Sequence, residues 1–210
     1  MNTLMENPAK SVSEIIQKTI DKAMNYTEYR SLVHELAATN ANSGAIQTDA
    51  LINYTQLNDK RMKRWDKTLK ISEAHKNQIT RLKTKTTWLV LTESWCGDAS
   101  PSLPVMNKLA ELNPNIDLKI VLRDENLDLM NLFLTNGAQS IPKLIALDSK
   151  THEVKGEWGP RPSIPTKMVI DYKAEHSKLT AEFKEDLQVW YNKDKGQNIL
   201  NNLVSLLTLK

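Results

Sequence analysis

Cysteine is almost absent from this sequence, with Cys96 the only one in 210 residues. No intrachain disulfide can form, and a disulfide-stapled secreted scaffold is excluded, because exported proteins of this kind ordinarily carry paired cysteines. Glycine is scarce too, at six residues, and there is no Gly-rich phosphate loop, no internal repeat and no low-complexity tract. Nowhere do ~18 apolar residues follow one another, and the opening MNTLMENPAK lacks the basic stretch and apolar core of a secretory signal. A cytoplasmic protein that keeps clear of the membrane is the expectation. Charge of one sign is lacking as well: 28 Lys and Arg face 25 Asp and Glu, and a net +3 is too small to indicate nucleic-acid binding. His34, His75, His152 and His176 are scattered with no pair at ligand spacing, so no metal is expected. What is present, 40% hydrophobic residues, suffices for one main core dressed with extra helices.

Helical patterns fill residues 1–85. SVSE (Ser11 to Glu14) matches a capping box, and Val12, Ile15, Ile16, Thr19 and Ala23 follow at helical spacing. Tyr29, Leu32, Val33 and Leu36 continue the pattern until TNANSG breaks it with turn residues. From about Asp49 a long amphipathic segment sets Met62, Trp65 and Leu69 against a face of Lys60, Lys63, Arg64, Lys67 and Lys70. Between Lys60 and Lys85 ten Lys or Arg meet only Asp66 and Glu73, a local excess of eight positive charges. Such a face is ordinarily solvated, and it lacks the interleaved aromatics of a single-strand binder.

At Thr86 the period changes. TTWLVLT, IDLKIVLRD and PKLIALD are short β-rich runs, separated by helical patterns at Leu103–Leu112 and Leu127–Leu134. The alternation predicts an α/β sheet whose first strands are parallel and joined by helical crossovers. SKTHEVKGEW leaves no room for a helix, so Glu153–Trp158 is expected to pair back on Lys143–Leu147 as a hairpin. Helix resumes near Lys167, Thr180 is placed to cap a segment carrying Phe183, Leu187, Trp190 and Tyr191, and Ile199, Leu200, Leu203, Val204 and Leu207 form a last apolar stripe. The division expected is a helical extension over 1–85, a core over 86–178 and a helical extension over 179–210.

Cys96 falls where the first strand turns into a helix. Unpaired N–H groups and the helix dipole there favour a thiolate, the reactive form of the residue. Gly97 permits a tight turn and Trp95 supplies an apolar wall.

The strand followed by W-C-G-x-x and a helix, the proline at 104, and SIPKLIALD with Ile141-Pro142 ahead of a strand and hairpin resemble the thioredoxin superfamily. The likeness covers roughly Thr86 to Ala174. ESWCGDA, VLRDEN and SIPKLIALD further look like a group of bacterial thioredoxin-family proteins with helical N-terminal extensions. The resemblance implies a three-layer α/β/α sandwich with a mixed sheet, plus extra N- and C-terminal helices, and a cis Ile141-Pro142 bond. It also implies that the Ile141 backbone is offered to a substrate beside the sulfur, and that the loop with Gly159 and Arg161 lies near Cys96 and sets positive charge there. On its own, an arginine between two prolines is simply solvated, and Lys143 carries the same ambiguity.

Three positions depart from the family. Ala99 stands where the resolving cysteine belongs, and Val90 where thioredoxins bury an acid on the strand. Asp98 replaces the proline of C-G-P-C, where it is expected to cap the helix while opposing thiolate formation, with Glu93 adding negative charge if it faces the site. The resulting expectation is a monothiol, with Cys96 attacking protein or small-molecule disulfides and an external thiol completing the cycle, without a cofactor. The alternatives are a non-catalytic groove that binds a peptide or protein, and, by analogy with C-x-x-S glutaredoxins, an iron–sulfur site.

Overall fold

A computed structural model of the chain describes residues 8–208. The fold is organised round β1 (Thr86–Thr92), in which all seven residues are buried. A strand covered on both faces needs apolar or hydrogen-bonded side chains throughout, and TTWLVLT meets that need; the outer Thr87 hydroxyl bonds Ser149 at 2.9 Å. β1 pairs in parallel with β2 (Ile116–Leu122), from Thr86 opposite Ile116 to Thr92 opposite Leu122. On its other side it pairs with β3 (Lys143–Asp148), which in turn meets β4 (Val154–Trp158), giving the order β2-β1-β3-β4.

The β3–β4 hairpin is antiparallel as expected, but β3 also runs antiparallel to β1, with Leu91 opposite Lys143. The third run is therefore not a parallel crossover strand. The helix after β2 has only six residues, Leu127–Leu132, a span of ~9 Å against ~23 Å for a seven-residue strand, and the connection does not carry the chain back along β2. β3 consequently enters at the end where β2 leaves.

Four helices precede the sheet: α1 (Pro8–Ile20), α2 (Tyr26–Ala38), α3 (Asp49–Thr68) and α4 (Glu73–Ile79). The SVSE stretch lies within α1, which begins at Pro8, and the side chain of Ser11 lies outside what the structure describes. Asn25 and Glu28 form a reciprocal capping box on α2, and Thr48 caps α3 through Leu51 N. Met62 and Trp65 are buried from α3, as their spacing requires. Between α1 and α2, Met24 makes two backbone bonds to Ile120 on the outer edge of β2, at 2.9 and 2.8 Å.

Within and after the sheet come α5 (Ala99–Leu112), α6 (Leu127–Leu132), α7 (Ser163–Glu175), α8 (Ala181–Asp194) and α9 (Gln197–Thr208). α7 starts four positions ahead of Lys167, directly after Pro162. Thr180 caps α8 through Phe183 N at 3.2 Å. One apolar core joins residues from the first helices (Ile16, Tyr29, Met62), the sheet, α5 and the last helices (Tyr191, Leu200, Leu203). The architecture is a mixed four-stranded sheet flanked by helices, with additional helices at both ends of the chain.

Candidate functional site

The turn between β1 and α5 is tied by Cys96 N to Glu93 O at 3.1 Å and Ala99 N to Cys96 O at 3.2 Å. It places Cys96 at the start of α5 with 6% of its surface exposed. The thiol donates to the carbonyl of Ile141 at 3.3 Å, and the Ile141–Pro142 peptide is cis. Cys96 and the Ile141-Pro142 pair, 45 residues apart in sequence, thus share one spot because β3 starts beside the end of β1.

Gly159 joins them from the opposite side. Its φ is +118° and an added Cβ would lie 2.1 Å from the Pro142 carbonyl oxygen, so only glycine fits. The next bond, Gly159–Pro160, is also cis, which the sequence pattern does not announce. This turn delivers Arg161, whose Nη2 lies 2.7 Å from Asp98 Oδ2. Tyr191 on α8 donates its hydroxyl to Asp98 Oδ1 at 3.0 Å.

Asp98 therefore does not cap α5: no bond runs from its side chain to the helix N-terminus. The carboxylate has a better partner in a guanidinium it meets almost out of solvent. By the same contact Arg161 is committed to Asp98, not free beside the sulfur. Burial raises the Asp98 carboxyl, against the Arg161 guanidinium and the Tyr191 hydroxyl.

The sulfur feels the sum of these groups. Burial first, and the Asp98 charge second, push the Cys96 thiol up to about 12, while the backbone N–H groups of Ala99 and Asp98 and then Arg161 pull weakly the other way. Desolvation outweighs the helix terminus that the sequence suggests would favour a thiolate. Both leading causes act against the thiolate.

Glu93 turns away from the sulfur. It accepts from the Ser43 hydroxyl and from Asp124 N at 2.9 Å, and burial raises its carboxyl. Ser94 exchanges bonds with Ser43 and accepts or donates with Thr55 at 2.8 Å, and Asn58 holds the Ser94 carbonyl at 2.9 Å. The α2–α3 loop and α3 thereby brace the cysteine turn. Lys143 also points elsewhere, pairing with Glu157 at 2.6 Å.

Trp95 lies under Arg123, 5.0 Å from its ring centre. The Gly97 carbonyl accepts from Gln188 on α8 at 3.2 Å. Trp95, Cys96, Gly97, Asp98, Ile141 and Arg161 all line one cleft of about 650 Å³. Pro142 and Gly159 do not line it; they lie behind Ile141.

The walls of this cleft are the residues that sequence reasoning misses. One is a stripe on α3, Leu51, Tyr54, Leu57 and Arg61, and the other is on α8, including Lys184, Leu187 and Gln188. Arg64 on α3 bonds Asn192 at the end of α8 and ties the walls together. The signal for them in the sequence is weak: Leu57, at 45% exposure, breaks the pattern of a helix that otherwise buries its apolar side. Among the described residues, no group of three or more His, Cys, Asp or Glu is placed to hold a metal. None of the described helices is long and apolar enough to cross a membrane.

A mixed sheet of order β2-β1-β3-β4, a cysteine at the first strand-to-helix turn and a cis-proline loop against its sulfur define a thioredoxin-like protein. The thioredoxin family matches residues 44–175, and the chain belongs to that family. The match begins ahead of α3, so α3 and α4 fall inside the family region, which reaches further than the likeness legible from Thr86 onwards. The chain is similar to the crystal structure of a protein of unknown function from Pseudomonas aeruginosa, at 16% identity and a TM-score of 0.62, over 90% of this chain and 95% of that one. It is also similar to an HIV epitope scaffold, at 15% identity and a TM-score of 0.59, over 91% and 96%. These two likenesses concern the fold. No curated protein matches the sequence.

Proposed function

We propose that this thioredoxin-fold protein binds a short, extended peptide or peptide-like compound in the cleft over Cys96. The observation that carries the reading is that α3 and α8 enclose the sulfur in a space of about 650 Å³, a size suited to a small ligand and not to the face of a folded protein. Apolar side chains of Leu51, Tyr54 and Leu57 offer burial, while the Cys96 turn and Ile141 form the floor. In this reading Cys96 is a contact and a slow thiol. Ala99 and Val90 supply neither a resolving sulfur nor a buried base, and the raised thiol pKa leaves little thiolate at neutral pH.

A second reading, monothiol exchange, is favoured by the backbone N–H groups of Ala99 and Asp98 that stabilise negative charge on the sulfur. There, Cys96 loses its proton to solvent and its thiolate attacks one sulfur of a ligand disulfide. A mixed disulfide forms, the other half leaves as thiolate and takes up a proton, and an external thiol then reduces the mixed disulfide. Iodoacetamide labelling of Cys96 against pH, with intact-mass detection of adducts after incubation with glutathione disulfide, separates the two. Slow labelling with no adduct supports the binding reading. A labelling midpoint below ~8.5 with an adduct that a reductant removes refutes it in favour of exchange.

A further inference from the structure

The charges that line the cleft do not cancel. Asp98 and Arg161 neutralise one another at 2.7 Å. Of the remaining lining residues, Arg61 and Lys184 are cationic and only Glu185 is acidic. Arg61 is half-buried, and its side-chain bond is to the neutral Asn58 Oδ1 at 3.1 Å. No carboxylate among the described residues forms an ion pair with it. Burial first, and Arg64 after it, pull its pKa down, while Tyr54 and then Glu185 pull the other way; with no carboxylate paired to it directly, a guanidinium taken partly out of water is only partly compensated. Lys184, exposed on α8, lines the same cleft with its Nζ 5.9 Å from the Tyr54 ring centre, likewise without an ion pair among the described residues. Arg61 is the member of the basic run Lys60–Lys85 that lines the cleft.

Resting on the cleft reading above, we infer that the ligand is acidic: a short peptide or peptide-like compound whose carboxylate sits between Arg61 on α3 and Lys184 on α8, its apolar part lying along Leu51, Tyr54 and Leu57. A guanidinium and an ammonium on opposite walls recognise a carboxylate through charge-assisted hydrogen bonds. Placed in a partly desolvated cleft, they select by charge as well as bind.

The test keeps sulfur chemistry out. S-methylglutathione, a tripeptide with a carboxylate at each end and a blocked sulfur, is titrated calorimetrically into the whole chain and compared with its dimethyl ester, which has nearly the same shape without those charges. The inference expects the acid to bind at least about tenfold more tightly than the ester. It also expects Arg61→Gln and Lys184→Gln combined to bring the acid down to the ester's affinity. Lys193→Gln, which removes a charge on α8 outside the cleft, leaves the difference intact. Equal binding of acid and ester, or an equal loss in Lys193→Gln, overturns the charge selection while leaving the cleft reading standing. Binding of neither compound overturns both. Circular dichroism of the combined variant confirms that loss of affinity is not loss of fold.

Discussion

Replacing Asp98 with Asn tests the electrostatic origin of the cysteine's low reactivity most directly. The amide keeps the shape of the side chain and an oxygen for the Tyr191 hydroxyl, which donates at 3.0 Å, but it removes the negative charge next to Cys96. It also frees Arg161, whose guanidinium lies 2.7 Å from that carboxylate. Both changes favour a thiolate. A neighbouring charge displaces a pKa by about 1–3 units. Taking one to two units off a thiol pushed up to about 12 multiplies the thiolate fraction at fixed pH by about 10–100. Since the thiolate is the species that is alkylated, the iodoacetamide rate at pH 8 should rise, by less than that factor because a less basic thiolate is a weaker nucleophile, read by intact mass. Arg161→Gln should act in the opposite direction, leaving Asp98 uncompensated beside the sulfur and slowing the reaction. Both variants should label at the wild-type rate once unfolded in urea. A rate for folded Asp98→Asn that equals or falls below wild type would show that burial alone sets the thiol and that the Asp98 charge has no part in it.

Other perturbations address stability. Gly159→Ala forces a φ of +118° on alanine and drives its Cβ to 2.1 Å from the Pro142 oxygen, so a loss of at least about 3 kcal/mol in urea unfolding is expected. Tyr191→Phe deprives buried Asp98 of one of its two partners and should cost about 1–2 kcal/mol, read the same way. Glu93 gives a pH dependence of defined sign. Its carboxyl is raised by burial, so above the ordinary carboxylate range the native state holds more protons than the unfolded one, and its contribution, complete at low pH, is lost as pH rises through the raised value. Glu93→Gln lacks that loss, and its stability relative to wild type should improve from about pH 4 to about pH 7. A constant difference across that range would refute the burial of an ionisable group at 93.

The parts of this molecule that sequence alone discloses are those determined by neighbours along the chain. TTWLVLT reads as a strand because every position must be buried, Thr180 reads as a cap because a helical pattern follows it, and the β3–β4 hairpin follows from the shortness of its connection. The direction of β3 escapes such reasoning, since it depends on whether a six-residue α6 can carry the chain back across the sheet. Asp98 misleads for a related reason: at a helix start an aspartate caps by default, and only the arrival of Arg161 from 63 positions later and Tyr191 from 93 positions later turns it aside. Around Cys96, the residues in local motifs can be named in advance, whereas the cleft walls cannot. Tyr54, Arg61, Lys184 and Gln188 are unremarkable helix-surface positions until α3 and α8 are brought to face each other.

Met24 has a consequence that lies outside the cleft altogether. An outer strand exposes unpaired N–H and C=O groups and so acts as a template on which a second chain can add a strand. On β2 the middle of that template is occupied, because Ile120 spends both of its outward backbone groups on Met24, at 2.9 and 2.8 Å. The short stretch between α1 and α2 thus works as a stopper against edge-to-edge association. A chain shortened past Met24 would reopen the edge, and strand-paired dimers or fibrils, detected by light scattering, would be its signature.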